Sequence, residues 1–160
     1  MLCPSDGTDA SLKVDIQKLW PGKDARGRLV ANVYGIDTYN GCYVVHNVAE
    51  FNAKLIQRAN GQPLGMELHR ELAEQWGVPF AICEWSNNGD KKDAGSGGEA
   101  PDYVRQMNAW FRDHSGDPAH PKPGQLLYEV QFNLLNQFQF WPTKLQPQTA
   151  AAYRSQVWGH

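Results

Sequence analysis

The segment Pro79-Phe-Ala-Ile-Cys-Glu-Trp85 decides the fold. Its apolar run, residues 80–83, is short and continuous and is followed directly by a carboxylate. Such a run is typical of a strand that is buried on both faces of a parallel sheet. The sequence therefore predicts a parallel strand over residues 80–83, with Glu84 at its end.

Helical and strand patterns alternate around this run. Strands are predicted over residues 29–36 and 126–132, and helices over 47–58, 64–76, 100–111 and 148–158. Asn47 is expected to cap the first helix and Gly77 to end the second. In the second helix, Leu68, Leu72 and Trp76 form the predicted apolar stripe, and His69 is expected to be solvated or to lie on a helix face.

The alternation of strands and helices indicates a parallel sheet with right-handed helical crossovers. Residues around Leu2 and Cys3 are a candidate stub of one more strand, which gives four strand–helix units at most. The predicted fold class is therefore α/β: a partial (β/α)8 TIM barrel, roughly strands 5–8 with their helices. It is expected to form a single domain over residues 1–160.

Composition excludes several function classes. The net charge of −2 gives no electrostatic reason to expect nucleic acid or an anionic membrane as partner. The chain has no apolar run long enough to span a membrane, and its first residues do not resemble a signal peptide. The three cysteines lack metal-ligand spacing, so neither a metal nor another cofactor is expected.

Polar residues follow the predicted strands, and in a β/α barrel the active site lies at these strand ends. Glu84 is the sharpest candidate, because burying a carboxylate without a partner costs several kcal/mol. It is either an active-site group or the partner of a salt bridge or loop cap. Tyr39 is expected to donate a hydrogen bond to it, or else to pack under the sheet. Asp37 either contacts a sugar hydroxyl or tethers the loop.

Aromatic and amide side chains at the same strand ends suggest a carbohydrate site. Trp85 is a candidate platform for a sugar ring, with core packing as the alternative. Asn133 and Gln131 are candidate sugar contacts. The polar, glycine-rich segment 87–99 is expected to form a mobile loop over the site.

A family resemblance emerges from five segments in order. Together they resemble the second half of glycoside hydrolase family 26, which contains endo-β-mannanases and related retaining (β/α)8 enzymes. The segments are Leu19-Trp-Pro-Gly22, Tyr34-Gly-Ile-Asp-Thr-Tyr-Asn40, Pro79-Phe-Ala-Ile-Cys-Glu-Trp85, Ala100-Pro-Asp-Tyr-Val-Arg-Gln-Met107 and Ala150-Ala-Ala-Tyr153.

The resemblance implies roles for individual residues. Glu84 matches the catalytic nucleophile at the end of the seventh strand, and Tyr39 matches the tyrosine that bonds it. Asp37 lies in the same motif as Tyr39. Trp85 follows the nucleophile as an aromatic residue often does, and Phe132 falls near an aromatic residue beneath the sugar. The implied substrate is a β-linked polysaccharide such as mannan, and the implied parent enzyme is secreted or periplasmic.

One part of the family's pattern is not found. The family places its general acid/base glutamate at the end of the fourth strand, whereas this chain is expected to begin near the fifth. Retaining hydrolysis requires two carboxyl groups about 5–5.5 Å apart. The chain alone is therefore expected to be inactive, as one half of a split or truncated barrel. The alternatives are a non-catalytic carbohydrate-binding or structural half-barrel, and self-association of two half-barrels.

Overall fold

The structure, a computed structural model, describes residues 15–41, 44–90, 92, 98–142 and 144–158. The predicted strand stub at Leu2 and Cys3, and most of the interior of the glycine-rich loop, lie outside these residues. The chain divides into two compact units. The first comprises residues 1–38, 55–83 and 114–130, and the second comprises 39–54, 84–113 and 131–160. The single domain over residues 1–160 stays a prediction.

Strands and helices alternate along the described residues. In chain order they are α1 (Ile16–Leu19), β1 (Tyr34–Asn40), α2 (Val48–Leu55), β2 (Arg58–Ala59), β3 (Gln62–Pro63), α3 (Met66–Gln75), β4 (Phe80–Asn87), α4 (Pro101–His114), β5 (Leu126–Gln131) and α5 (Pro147–Trp158). The short strands β2 and β3 form an antiparallel hairpin. The predicted α/β class is confirmed.

The main sheet contains three parallel strands in the order β1-β4-β5. The backbone N–H of Tyr34, at the start of β1, donates to the carbonyl of Pro79 over 3.1 Å. At the other end, the N–H of Asn88 donates to the carbonyl of Asn40 over 3.1 Å. Because the starts pair with each other and the ends pair with each other, the two strands run in the same direction.

The bounds of β1 and β4 differ from the prediction. Strand β1 covers Tyr34–Asn40 rather than residues 29–36, because Leu29 instead forms an antiparallel bridge with Lys23. Strand β4 does not stop at residue 83 but continues to Asn87. Glu84 therefore lies inside the strand, and the buried part of the sheet extends into polar sequence.

The predicted cap of α2 and the predicted end of α3 are confirmed. Asn47 caps α2, since its Oδ1 accepts the N–H of Glu50 at 3.0 Å. The Glu50 carboxylate accepts the N–H of His46, the residue before the cap, at 2.7 Å, and so holds the chain that leads into the helix. Gly77 has φ of 74°, a left-handed conformation that ends α3.

Aromatic side chains form the core of the first unit. Trp20 and Trp76 stack with ring centroids 4.6 Å apart, and Tyr34 packs edge-on against both. His69 on α3 is 1% exposed, and its Nδ1 lies 2.6 Å from the Tyr34 hydroxyl oxygen. The prediction that His69 is solvated is wrong, because Met66, His69 and Leu72 share the buried face of α3.

Candidate active site

Glu84 and Tyr39 lie together in the second unit, in the C-terminal halves of the neighbouring strands β4 and β1. The Tyr39 hydroxyl donates a hydrogen bond to Oε2 of Glu84, and both residues are half-buried. The Lys54 ammonium on α2 donates to the Tyr39 carbonyl oxygen over 2.7 Å, which fixes the backbone beneath the ring. The sequence-predicted pair is therefore brought into contact, with one carboxylate oxygen occupied by the phenol.

Cys83, the residue before Glu84, packs over Gly35 of β1. A Cβ on Gly35 would lie 2.6 Å from Sγ of Cys83, so a side chain at position 35 would have to displace the thiol.

Two phenylalanines surround the Tyr39 ring. The Phe138 centroid lies 4.8 Å from it, and the Phe132 centroid lies 6.0 Å away in an edge-on arrangement. Phe132 is held beside β4 by its backbone N–H, which donates to the carbonyl of Trp85 over 2.9 Å. Phe132 thus neighbours the Tyr39–Glu84 pair, and the role that the resemblance implies for it, an aromatic residue beneath the sugar, stays a prediction. The rings shield the phenol from water on these sides.

Ser86 and Gln131 add polar groups near the same strand ends. Nε2 of Gln131 donates to Oγ of Ser86 over 3.2 Å, and it also donates to the Phe132 carbonyl. Gln131 was a predicted sugar contact, but its amide nitrogen is used within the protein. Ser86 was not predicted, although its spacing of two residues from Glu84 places it on the same face of the strand.

Trp85 is a core residue. Its side chain is 0% exposed. Four aromatic rings surround it, with centroid distances between 5.3 and 6.2 Å: Tyr103, Phe111, Phe140 and Tyr153. A fully buried indole has no face to offer to a sugar. The interpretation of Trp85 as a platform is therefore wrong, and the packing alternative holds.

Asn133 uses its side chain to hold a loop. Its Oδ1 accepts the backbone N–H groups of Phe140 at 2.7 Å and Trp141 at 3.0 Å. Its Nδ2 donates to the Trp141 carbonyl over 2.8 Å. The predicted sugar contact is thus primarily a positioning residue. Asp37, half-buried on β1 in the first unit, stays a predicted substrate contact.

A buried amide network beyond Glu84 was missed by sequence reasoning. Nδ2 of Asn40 donates to Oδ1 of Asn87 over 2.7 Å. Nδ2 of Asn87 donates in turn to Oε1 of Gln146 at 2.7 Å and to the Gly98 carbonyl at 2.6 Å. All three amide side chains are fully buried. The network fixes the ends of β1 and β4, and with them the strand positions that carry Tyr39 and Glu84.

Within the described part of the chain, no helix is long and apolar enough to cross a membrane. No cluster of three His, Cys, Asp or Glu side chains that would suit a metal ion occurs among the same residues. Comparisons of the chain with protein-family models, with curated proteins and with solved structures gave no significant match.

Proposed function

We propose that Glu84 is the nucleophile of a retaining glycosidase-type site that acts on β-linked polysaccharide of the mannan class. The observation that carries the proposal is the hydrogen bond from the Tyr39 hydroxyl to Oε2 of Glu84. A donor on one carboxylate oxygen orients the group and leaves the other oxygen for attack. In this proposal the three parallel strands belong to a (β/α)8 barrel, whose active sites lie at strand ends.

The proposed reaction is a double displacement. Oε1 of Glu84 attacks the anomeric carbon, the glycosidic C–O bond breaks, and the departing oxygen takes a proton from a general acid. Water, deprotonated by the same group acting as base, then releases the sugar and restores the carboxylate. Tyr39 keeps its bond to Oε2 and so maintains the orientation of Glu84 through both steps.

The general acid is not identified among the described carboxylates around Glu84. Glu50 lies on α2, and Glu67, Glu71 and Glu74 lie on α3. Glu129 lies on β5, in the first unit, whereas Glu84 belongs to the second. Glu99 accepts the N–H groups of Gln148 and Thr149, and so it caps α5. In this proposal the acid/base is supplied by a segment other than the three described strands. The 160 residues alone are expected to cleave natural polysaccharide poorly.

The nucleophile is testable without the missing acid. A fluorinated β-mannoside with a dinitrophenyl leaving group needs no proton donor, because the phenolate departs unaided. We expect the purified chain to gain one covalent glycosyl group, measured by intact mass. Glu84→Gln should abolish labelling, and Tyr39→Phe should slow it. Glu74→Gln, an exposed glutamate on α3, is the matched control and should label normally. Absence of labelling in the parent chain would refute the proposal.

A non-catalytic carbohydrate-binding role is the second candidate. It is favoured by the placement of Glu50, Glu67, Glu71 and Glu74 on helices and of Glu99 at a helix cap. It predicts affinity for oligosaccharides without covalent labelling. Isothermal titration of the parent chain and Glu84→Gln with the same oligosaccharide separates the candidates, since a purely binding role predicts little dependence on Glu84.

A further inference from the structure

Trp141 lies exposed on the loop that follows β5, in the same unit as Glu84. Its side chain is 68% exposed, the largest exposed fraction among the described large hydrophobic residues. A tryptophan left open to water forgoes the burial that stabilises most tryptophans in a core. Its exposure therefore calls for a cause other than packing.

The backbone of Trp141 is nevertheless held firmly. Asn133 accepts its N–H at 3.0 Å and donates to its carbonyl at 2.8 Å, so both of its backbone polar groups are fixed by one side chain. The preceding residue, Phe140, is buried against Trp85 and Tyr153. The indole thus projects into solvent from a loop that is held by the hydrogen bonds of Asn133 and by the packing of Phe140.

The anchor of this loop adjoins the proposed site. Asn133 directly follows Phe132, whose ring packs edge-on against Tyr39, the hydrogen-bond partner of Glu84. The end of β5 therefore carries both a wall of the Glu84 site and the residue that positions Trp141.

We propose that Trp141 is a stacking platform for a distal sugar ring of an oligosaccharide bound at Glu84. This inference rests on the proposed function. A pyranose in a β-linked chain presents apolar C–H faces, and an indole offers a broad apolar face on which such a ring can stack. A rigidly held aromatic residue loses little conformational entropy on contact, which suits it to this role. Asn133 acts as the positioning residue for the platform.

The test measures binding and labelling separately. Isothermal titration with a β-linked manno-hexasaccharide should show that Trp141→Ala weakens binding at least about fivefold, because tryptophan is enriched among the residues whose truncation costs most in binding. Trp141→Phe keeps an aromatic face and should lose less. Leu135→Ala removes another exposed apolar side chain of the same loop and should bind like the parent.

Labelling by the fluorinated monosaccharide should be unchanged in Trp141→Ala, because that probe lacks the distal ring that the platform is proposed to contact. Hexasaccharide affinity that is equal in Trp141→Ala and the parent would overturn the inference, as would absence of any binding by the parent. Loss of labelling in the parent chain would instead overturn the function proposed for Glu84. The two failures are therefore distinguishable.

Discussion

His69 makes the stability of the first unit depend on pH. Its side chain is 1% exposed, and burial lowers its pKa from 6.5 to about 4, an effect that the nearby Pro63 carbonyl partly opposes. The Tyr34 hydroxyl and Nδ1 of the ring share a hydrogen bond, whereas Nε2 is buried and makes no hydrogen bond of normal geometry with the described residues. Protonation would therefore place a charge in an apolar environment.

The sign of the effect follows from proton binding in the two states. Between pH 6.5 and pH 4, the unfolded chain binds a proton at His69 and the folded chain does not, so acid favours unfolding. Shifting the pKa from 6.5 to about 4 lowers the free energy of unfolding by about 2 kcal/mol at pH 5 and about 3 kcal/mol at pH 4, relative to pH 7. Above pH 7 the contribution of His69 is constant.

The assay is urea denaturation followed by circular dichroism, between pH 7 and pH 5, for the parent chain and His69→Gln. Other titrating groups are common to both proteins, so the difference between their unfolding free energies isolates His69. The variant should be less stable at pH 7, and the gap should shrink by about 2 kcal/mol at pH 5. Parallel pH curves for the two proteins would refute the burial of a neutral His69.

Further predictions concern the second unit. Trp85→Ala should lower the free energy of unfolding by about 3–5 kcal/mol in urea denaturation, because it empties a site lined by four aromatic rings. Trp141→Ala should change it by less than about 0.5 kcal/mol, since that side chain is mostly in solvent; similar values for the two variants would contradict their assignment to core and surface. Asn87→Ala should cost about 2–4 kcal/mol, because it leaves the buried amides of Asn40 and Gln146 without their partner. An unchanged unfolding midpoint for this variant would contradict the network.

The sequence predicts the α/β class and most helices correctly because those elements depend on local signals. The cap at Asn47, the left-handed Gly77 and the proline at the start of α4 are each visible in the chain. His69 also had a local signal, since it lies three residues after Met66 and three before Leu72 on the buried face of α3. The predicted apolar stripe runs through Leu68, Leu72 and Trp76, whereas the buried face of α3 contains Met66, His69 and Leu72.

Strand ends were harder to predict, and both errors have one cause. The sequence predicts that both strands end where polar residues begin. Strands β1 and β4 instead continue to Asn40 and Asn87, whose side-chain amides are hydrogen-bonded by partners far along the chain. Asn40 and Asn87 bond each other, and Gln146 completes the network. No local pattern reveals a partner 59 residues away.

The environments of Trp85 and Trp141 also depend on tertiary structure. Trp85 is buried because four aromatic rings from other parts of the chain pack around it. Trp141 is set outward by a loop that Asn133 organises. The contact between Tyr39 and Glu84, in contrast, followed from the expectation that parallel strand ends meet at one edge of the sheet.

The site of the covalent glycosyl adduct tests whether Glu84 is the nucleophile. Trypsin should release residues 71–91 as one peptide, which contains Glu71, Glu74 and Glu84. After treatment with the fluorinated dinitrophenyl β-mannoside, fragmentation of this peptide should place the sugar on Glu84. A sugar on Glu71 or Glu74, or no adduct in the peptide, would contradict the assignment of Glu84 as the nucleophile.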